Sequence, residues 1–174
     1  MASARAELQL TPSVVQYELD GVKLNQLAFS DGGKQVTYQA PRGWEYAGGA
    51  SRLTLHPPNK SQAEAIIYKV PLPQPASFDD ETAKKLVDEA IASMPKGSTD
   101  VTLVSQEKNR LLINRKETFL VTFTYNFYGE SYIRSILFLN RGNEQIRFQL
   151  VCRQADFKDL QKAFLGSQYS WHNL

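Results

Sequence analysis

One cysteine and two histidines are all that this 174-residue chain offers in soft metal-ligand chemistry. A single Cys152 excludes an intramolecular disulfide and any cysteine-based metal site. Strand alternation points Cys152 into the core, where it reads as a small buried apolar residue rather than a nucleophile. His56 precedes two prolines at a strand end, and His172 lies near the last residue. Neither has an acidic or histidine neighbour at metal-ligand spacing. The G-x-S-x-G pattern of a nucleophile elbow is missing, as are the glycine-rich loops that cradle phosphates. Gly48-Gly49 reads as a turn. No catalytic residue, no metal and no cofactor is therefore expected.

Charge of one sign is missing too. Twenty Lys and Arg face eighteen Asp and Glu, for a net charge of +2. Dedicated nucleic-acid binders show a clear basic excess, so no nucleic-acid partner is expected. Arg110, Arg115, Lys116, Arg141, Arg147 and Arg153 read as a solvated face. No apolar run approaches the roughly 18 residues of a spanning helix, so no transmembrane segment is expected. Ala2-Ser3-Ala4 resembles the small-residue end of an export cleavage site. Two settings stay equally open, an exported domain (periplasmic or membrane-associated) and a cytoplasmic one.

What the chain does have is apolar patterning. Its hydrophobic content is 42%, enough for one domain spanning residues 1–174 with its own core. Residues 1–13 read as a lead-in. Val15, Tyr17 and Leu19 alternate up to Asp20-Gly21, and Val22 and Leu24 alternate back, giving an N-terminal hairpin over 14–29. Short strands follow at 36–40, 52–56 and 63–70, each stopped by proline. Ala83, Leu86, Val87, Ala90, Ile91 and Met94 recur at helical spacing and predict a helix near 80–94. Asp79-Asp80-Glu81 suits the positive end of that helix dipole without invoking a cation.

The last third is the richest. Phe119, Val121, Phe123, Tyr125 and Phe127 share one face of a strand. A turn at Gly129-Glu130 is expected to set Phe127 opposite Tyr132 and Val121 opposite Phe138. A three-residue loop at 141–143 would then put Ile146, Phe148, Leu150 and Cys152 on that same face. Leu120, Ile133, Leu137 and Leu139 make the opposite face too apolar to be wholly wet. A helix near 156–166 follows, with Asp156 as its cap and Gly166 at its end. Trp171 is expected to fold back on the sheet. Arg134 falls among core-facing residues, with its stem packed and its head reaching an edge. The fold class is α+β: a central antiparallel sheet of about six to seven strands with helices on both faces, plus the N-terminal hairpin.

The order of these elements resembles a known group. Pro41-Arg42-Gly43-Trp44, the aromatic meander, and Ala155-Asp156-Phe157 leading to Phe164 and Ser170-Trp171 are its local marks. The pattern is similar to the fold of the PsbP extrinsic protein of photosystem II, the Mog nuclear-import factor that binds the GTPase Ran, and DcrB-type bacterial lipoproteins. The resemblance covers roughly residues 34–174 and implies accessory or binding roles without catalysis. It assigns no metal or Ran-binding residues to this chain.

The leading expectation is thus a non-enzymatic accessory or binding module acting through contacts with an unidentified protein partner. A small hydrolase or ligand-binding protein with a cleft near His56 is one alternative. A chaperone-like module for an apolar client segment is another. Residues 41–50 read as an exposed loop, since loops on rigid scaffolds carry function. Trp44 is expected to cap the core. Arg42, Tyr46 and His56 are then the partner-binding candidates.

Overall fold

A computed structural model describes residues 7–174; the Ala2-Ser3-Ala4 motif and the start of the expected lead-in lie outside them. The described residues are mostly β, with ten strands in two antiparallel sheets and two α-helices. Strands β1 (Leu8–Leu19), β2 (Val22–Asp31) and β3 (Lys34–Tyr38) form one sheet in sequential order. The other contains β4 (Glu45–Gly49), β5 (Arg52–His56), β6 (Glu64–Pro71), β7 (Thr99–Lys108), β8 (Thr118–Phe127), β9 (Glu130–Arg141) and β10 (Glu144–Arg153). Its spatial order is β4-β5-β6-β10-β9-β8-β7. The helices are α1 (Asp80–Ala92) and α2 (Phe157–Gln168).

Three expectations need correction. The lead-in is not loose as far as residue 13: β1 starts at Leu8, and Leu8 and Leu10 are fully buried. The N-terminal hairpin is longer than 14–29, running from Leu8 to Asp31, and β3 joins it through Leu27–Asp31. Asp156 makes no cap hydrogen bond to α2 and instead pairs with Lys60 at 2.6 Å. Asp79 is the side chain that caps a helix, accepting from the Thr82 amide at 2.8 Å. That bond holds the Asp79 carboxyl below its usual range.

The meander registers differ as well. Tyr128 and Gly129, both at positive φ, form the first turn. Phe127 therefore faces Glu130, Tyr125 faces Tyr132 and Phe119 faces Phe138. This two-residue shift keeps every side chain on its face. It also creates two stacked aromatic pairs, Tyr125 with Tyr132 at 5.7 Å and Phe119 with Phe138 at 6.2 Å.

The second turn is the larger surprise. Its loop is two residues, Gly142-Asn143, with Arg141 opposite Glu144. Phe148 then faces Leu137 and Ile146 faces Leu139. Ile146, Phe148, Leu150 and Cys152 lie on the Leu137 face, not the Phe119 face. They are better buried there, because the small sheet supplies Leu8, Leu10, Phe29, Val36 and Tyr38 to the same cluster. Gln145 and Arg147 are left on the other face with compensation. Arg147 spreads over the Phe138 ring at 5.2 Å and pairs with Glu89 at 2.8 Å. Gln145 bonds both Asn140 and Arg147.

Two apolar clusters result. The larger unites the small sheet, one set of β5, β6, β8, β9 and β10 residues, Leu160 and Phe164 of α2, and Trp171. The smaller joins Ala83, Leu86, Val87 and Ala90 of α1 to Phe119, Val121, Phe123, Ile136 and Phe138. Trp44 is buried with its ring parallel to Phe164 at 6.2 Å.

Candidate functional site

The segment 41–50 is not a free loop. Only the turn Pro41-Arg42-Gly43-Trp44 precedes β4, closed by the Trp44 amide on the Pro41 carbonyl at 3.1 Å. Arg42 is exposed on that turn. Tyr46 pairs with Leu55, whereas His56 pairs with Glu45. Paired residues share a face and neighbours alternate, so Tyr46 and His56 point to opposite faces of the sheet. The structure does not gather Arg42, Tyr46 and His56 into one patch. His56 instead approaches Glu64 at 3.7 Å, and the groove beside it is lined by Pro57, Asn59, Lys60 and Ser61. Among the described residues no group of three His, Cys, Asp or Glu side chains is placed to hold a metal ion. No helix among them is long and apolar enough to cross a membrane.

Three exposed apolar residues, Val14, Leu19 and Val22, lie on the hairpin of β1 and β2. The strand β3 pairs with β2 only from Leu27 onward. Beyond that point, among the described residues, Val15–Leu19 and Val22–Gln26 pair only with each other, as a two-stranded ribbon. The register sets Val15 against Gln26, Tyr17 against Leu24 and Leu19 against Val22. One face of the ribbon thus carries Val15, Tyr17, Leu19, Val22 and Leu24. The other carries Gln16 with Asn25 and Glu18 with Lys23, besides Val14. Leu19 is 58% exposed and Val22 57%. The exposed Leu19 and Val22 continue the stripe of part-buried Val15, Tyr17 and Leu24, so they are adjoining rather than scattered surface residues. The Asp20-Gly21 turn, with both residues at positive φ, fixes that register. The alternation was visible in the sequence. That it projects past its last partner strand was not, because this depends on which residues of β2 the strand β3 pairs with.

A second, charged region lies where the sheets meet. A groove of about 810 Å³ is lined by Glu7, Ser51, Lys69, Val70, Pro71 and the 141–144 turn. Arg141 bonds the buried Asp31 of the small sheet and Glu144 at 3.0 Å. Lys69 bonds Glu7 at 2.9 Å. Burial pushes the Glu144 carboxyl above its usual range, while Arg141 opposes the shift. The Arg141–Asp31 pair links the two sheets.

Neither a protein-family model nor a curated protein sequence matches the chain. Solved structures do. The solution structure of cyanobacterial PsbP from Synechocystis is similar over 99% of this chain and 95% of that one, at 13% identity and a TM-score of 0.53. A Pseudomonas aeruginosa protein of unknown function matches over 90% of this chain and 94% of that one, at 15% identity and a TM-score of 0.45. A Bacteroides thetaiotaomicron protein matches over 79% of this chain at 12% identity and a TM-score of 0.47; the match spans 44% of that chain. The likeness to the cyanobacterial protein shows a PsbP-like fold.

Proposed function

We propose that this chain is a non-catalytic binding module that engages a protein partner, and that the apolar face of the ribbon at 14–26 is its contact surface. The observation that carries this is the exposure of Leu19 and Val22 on one face with Tyr17 and Leu24. Burying such a face against a partner removes apolar surface from water at roughly 25 cal/mol per Å². The cross-strand pair Glu18 and Lys23 leaves the ribbon's charged flank close to neutral. An anionic membrane or a nucleic acid would call for a basic flank, so a protein surface is the better match. Arg42, Tyr46 and His56 become secondary candidates, because no single flat partner surface reaches Tyr46 and His56 together.

The two helices are read as lying against opposite faces of the larger sheet, since their buried residues join different clusters. That arrangement leaves the ribbon uncovered by either.

The test replaces Leu19 and Val22 by Ser together. Both side chains lie outside the apolar clusters, so the melting temperature should stay within a few degrees of the parent's. Partner capture from native extract, scored as the stoichiometric band held by the parent, should fall at least tenfold. Loss of capture in an Arg42, Tyr46 and His56 triple Ala variant, with the ribbon variant unaffected, would move the surface away from the ribbon. A parent dimer that the ribbon substitutions convert to monomer would make the partner a second copy.

A further inference from the structure

On the face of the large sheet that α1 only partly covers, Arg134 sits 8% exposed. Burying a guanidinium is costly unless a counter-charge or full hydrogen bonding compensates it. Among the described residues Arg134 has no carboxylate within ion-pair distance. Its Nη1 donates to the Ser93 carbonyl and hydroxyl, both at 3.4 Å. Ser93 caps the C-terminus of α1, whose last turn holds no basic residue. The negative end of the helix dipole is thus part of the compensation. Tyr125 is another part, with its ring 5.8 Å away and its hydroxyl interacting with the guanidinium. Both are weak at these distances, and among the described residues Nε has no hydrogen-bond partner.

This under-compensated cation lies at the side of an open groove of about 480 Å³. The groove is also lined by Ser93, Arg52, Ile66, Tyr68 and Gln149. Strand pairing puts Arg52, Ile66, Tyr68 and Gln149 on one face with Arg134. Arg52 lies 4.0 Å from Glu64, and Lys69, which also lines the groove, lies 2.9 Å from Glu7; these carboxylates offset both charges. The groove is therefore left with one net positive charge, on Arg134. Ile66 and Tyr68 give it an apolar wall, and Gln149 adds an amide at its rim.

We propose that this groove is a binding site for a small organic monocarboxylate, whose carboxylate is held by Arg134 and whose apolar body lies against Ile66 and Tyr68. A planar guanidinium matches a carboxylate in shape as well as charge. A single net positive charge favours a monoanion over a phosphate dianion. The site is separate from the ribbon, so its failure would leave the proposed protein contact untouched.

The experiment titrates isotope-labelled protein with benzoate and follows backbone amides by NMR, with chloride and phosphate at matched ionic strength in parallel. Saturable shifts at Ser93, Arg134 and Gln149 with benzoate alone are expected. Arg134→Met should weaken binding at least tenfold and Gln149→Leu about threefold. Arg134→Lys, which keeps the charge but loses the planar fork, should weaken it severalfold and stands in if the Met variant does not fold. Absence of saturable shifts in the parent would overturn the proposal. So would equal shifts with chloride, tighter binding of phosphate, or shifts confined to other residues.

Discussion

The indole of Trp171 lies nearly parallel to the phenol of Tyr38, with ring centroids 4.4 Å apart and planes 15° from parallel. This contact binds the end of the chain to the small sheet. The Tyr38 hydroxyl meets the Ser167 hydroxyl at 2.7 Å, and the Trp171 indole N–H donates to Gln168 Oε1 at 2.8 Å. Burial raises the Tyr38 pKa, so its proton stays in place for that bond at any physiological pH. Thr37 and His172 then exchange backbone hydrogen bonds at 3.0 and 3.1 Å. Trp171→Ala should cost about 3–5 kcal/mol, as expected for emptying a buried indole site. His172→Ala should cost under about 0.5 kcal/mol, because its bonds to Thr37 come from the backbone. Urea unfolding of both variants measures the contrast.

Gly48 marks where β1 crosses β4. A Cβ there would meet the Leu10 carbonyl at 2.8 Å and the Pro12 ring at 2.9 Å. The Leu10 amide also donates to the Ala50 carbonyl at 2.8 Å, so the strands cannot separate cheaply. Gly48→Ala should destabilise by roughly 1–3 kcal/mol through overpacking. The neighbouring Gly49 has nothing within 4 Å of such a Cβ, and Gly49→Ala should be nearly neutral. Thermal unfolding of the pair reads the difference.

Cys152 is fully buried, and burial pushes its thiol up to about 12. The folded chain therefore holds its proton where an unfolded chain, with a thiol near roughly 8.5, loses it. The Cys152 contribution to stability is whole below that ordinary value and declines as pH rises from there towards about 12. Iodoacetamide at pH 8.5 should label the folded protein at the rate of global unfolding and the urea-unfolded chain rapidly. Cys152→Ala should flatten the alkaline decline in stability. Rapid labelling of the folded protein would show that the thiol is accessible.

Much of this architecture could be read from local pattern. The spacing of Ala83, Leu86, Val87 and Ala90 marked α1, and these four are the buried residues of that helix. Trp44 and Trp171 were expected inside and are buried there. What could not be read depended on partners remote in sequence. The face taken by Ile146 and Phe148 is decided by the small sheet, which comes more than a hundred residues earlier. Its reward outweighs the polar residues turned the other way, whose cost Phe138 and Glu89 offset. Tyr46 and His56 looked like neighbours because ten residues are a short span. The register of β4 on β5 sends them apart. The ribbon's stripe of Val15, Tyr17 and Leu19 was legible, while its emergence from the sheet was a property of where β3 stops.

The central claim is that the partner sits on one face of that ribbon. A photoreactive benzoylphenylalanine placed singly at positions 18, 19 and 22 tests it in the native host. Leu19 and Val22 lie on the apolar face and Glu18 on the polar one. Irradiation should yield the same protein adduct from positions 19 and 22 and little from 18. An adduct formed equally from position 18, or none from 19 and 22 while one forms from position 42 or 46, would contradict the account.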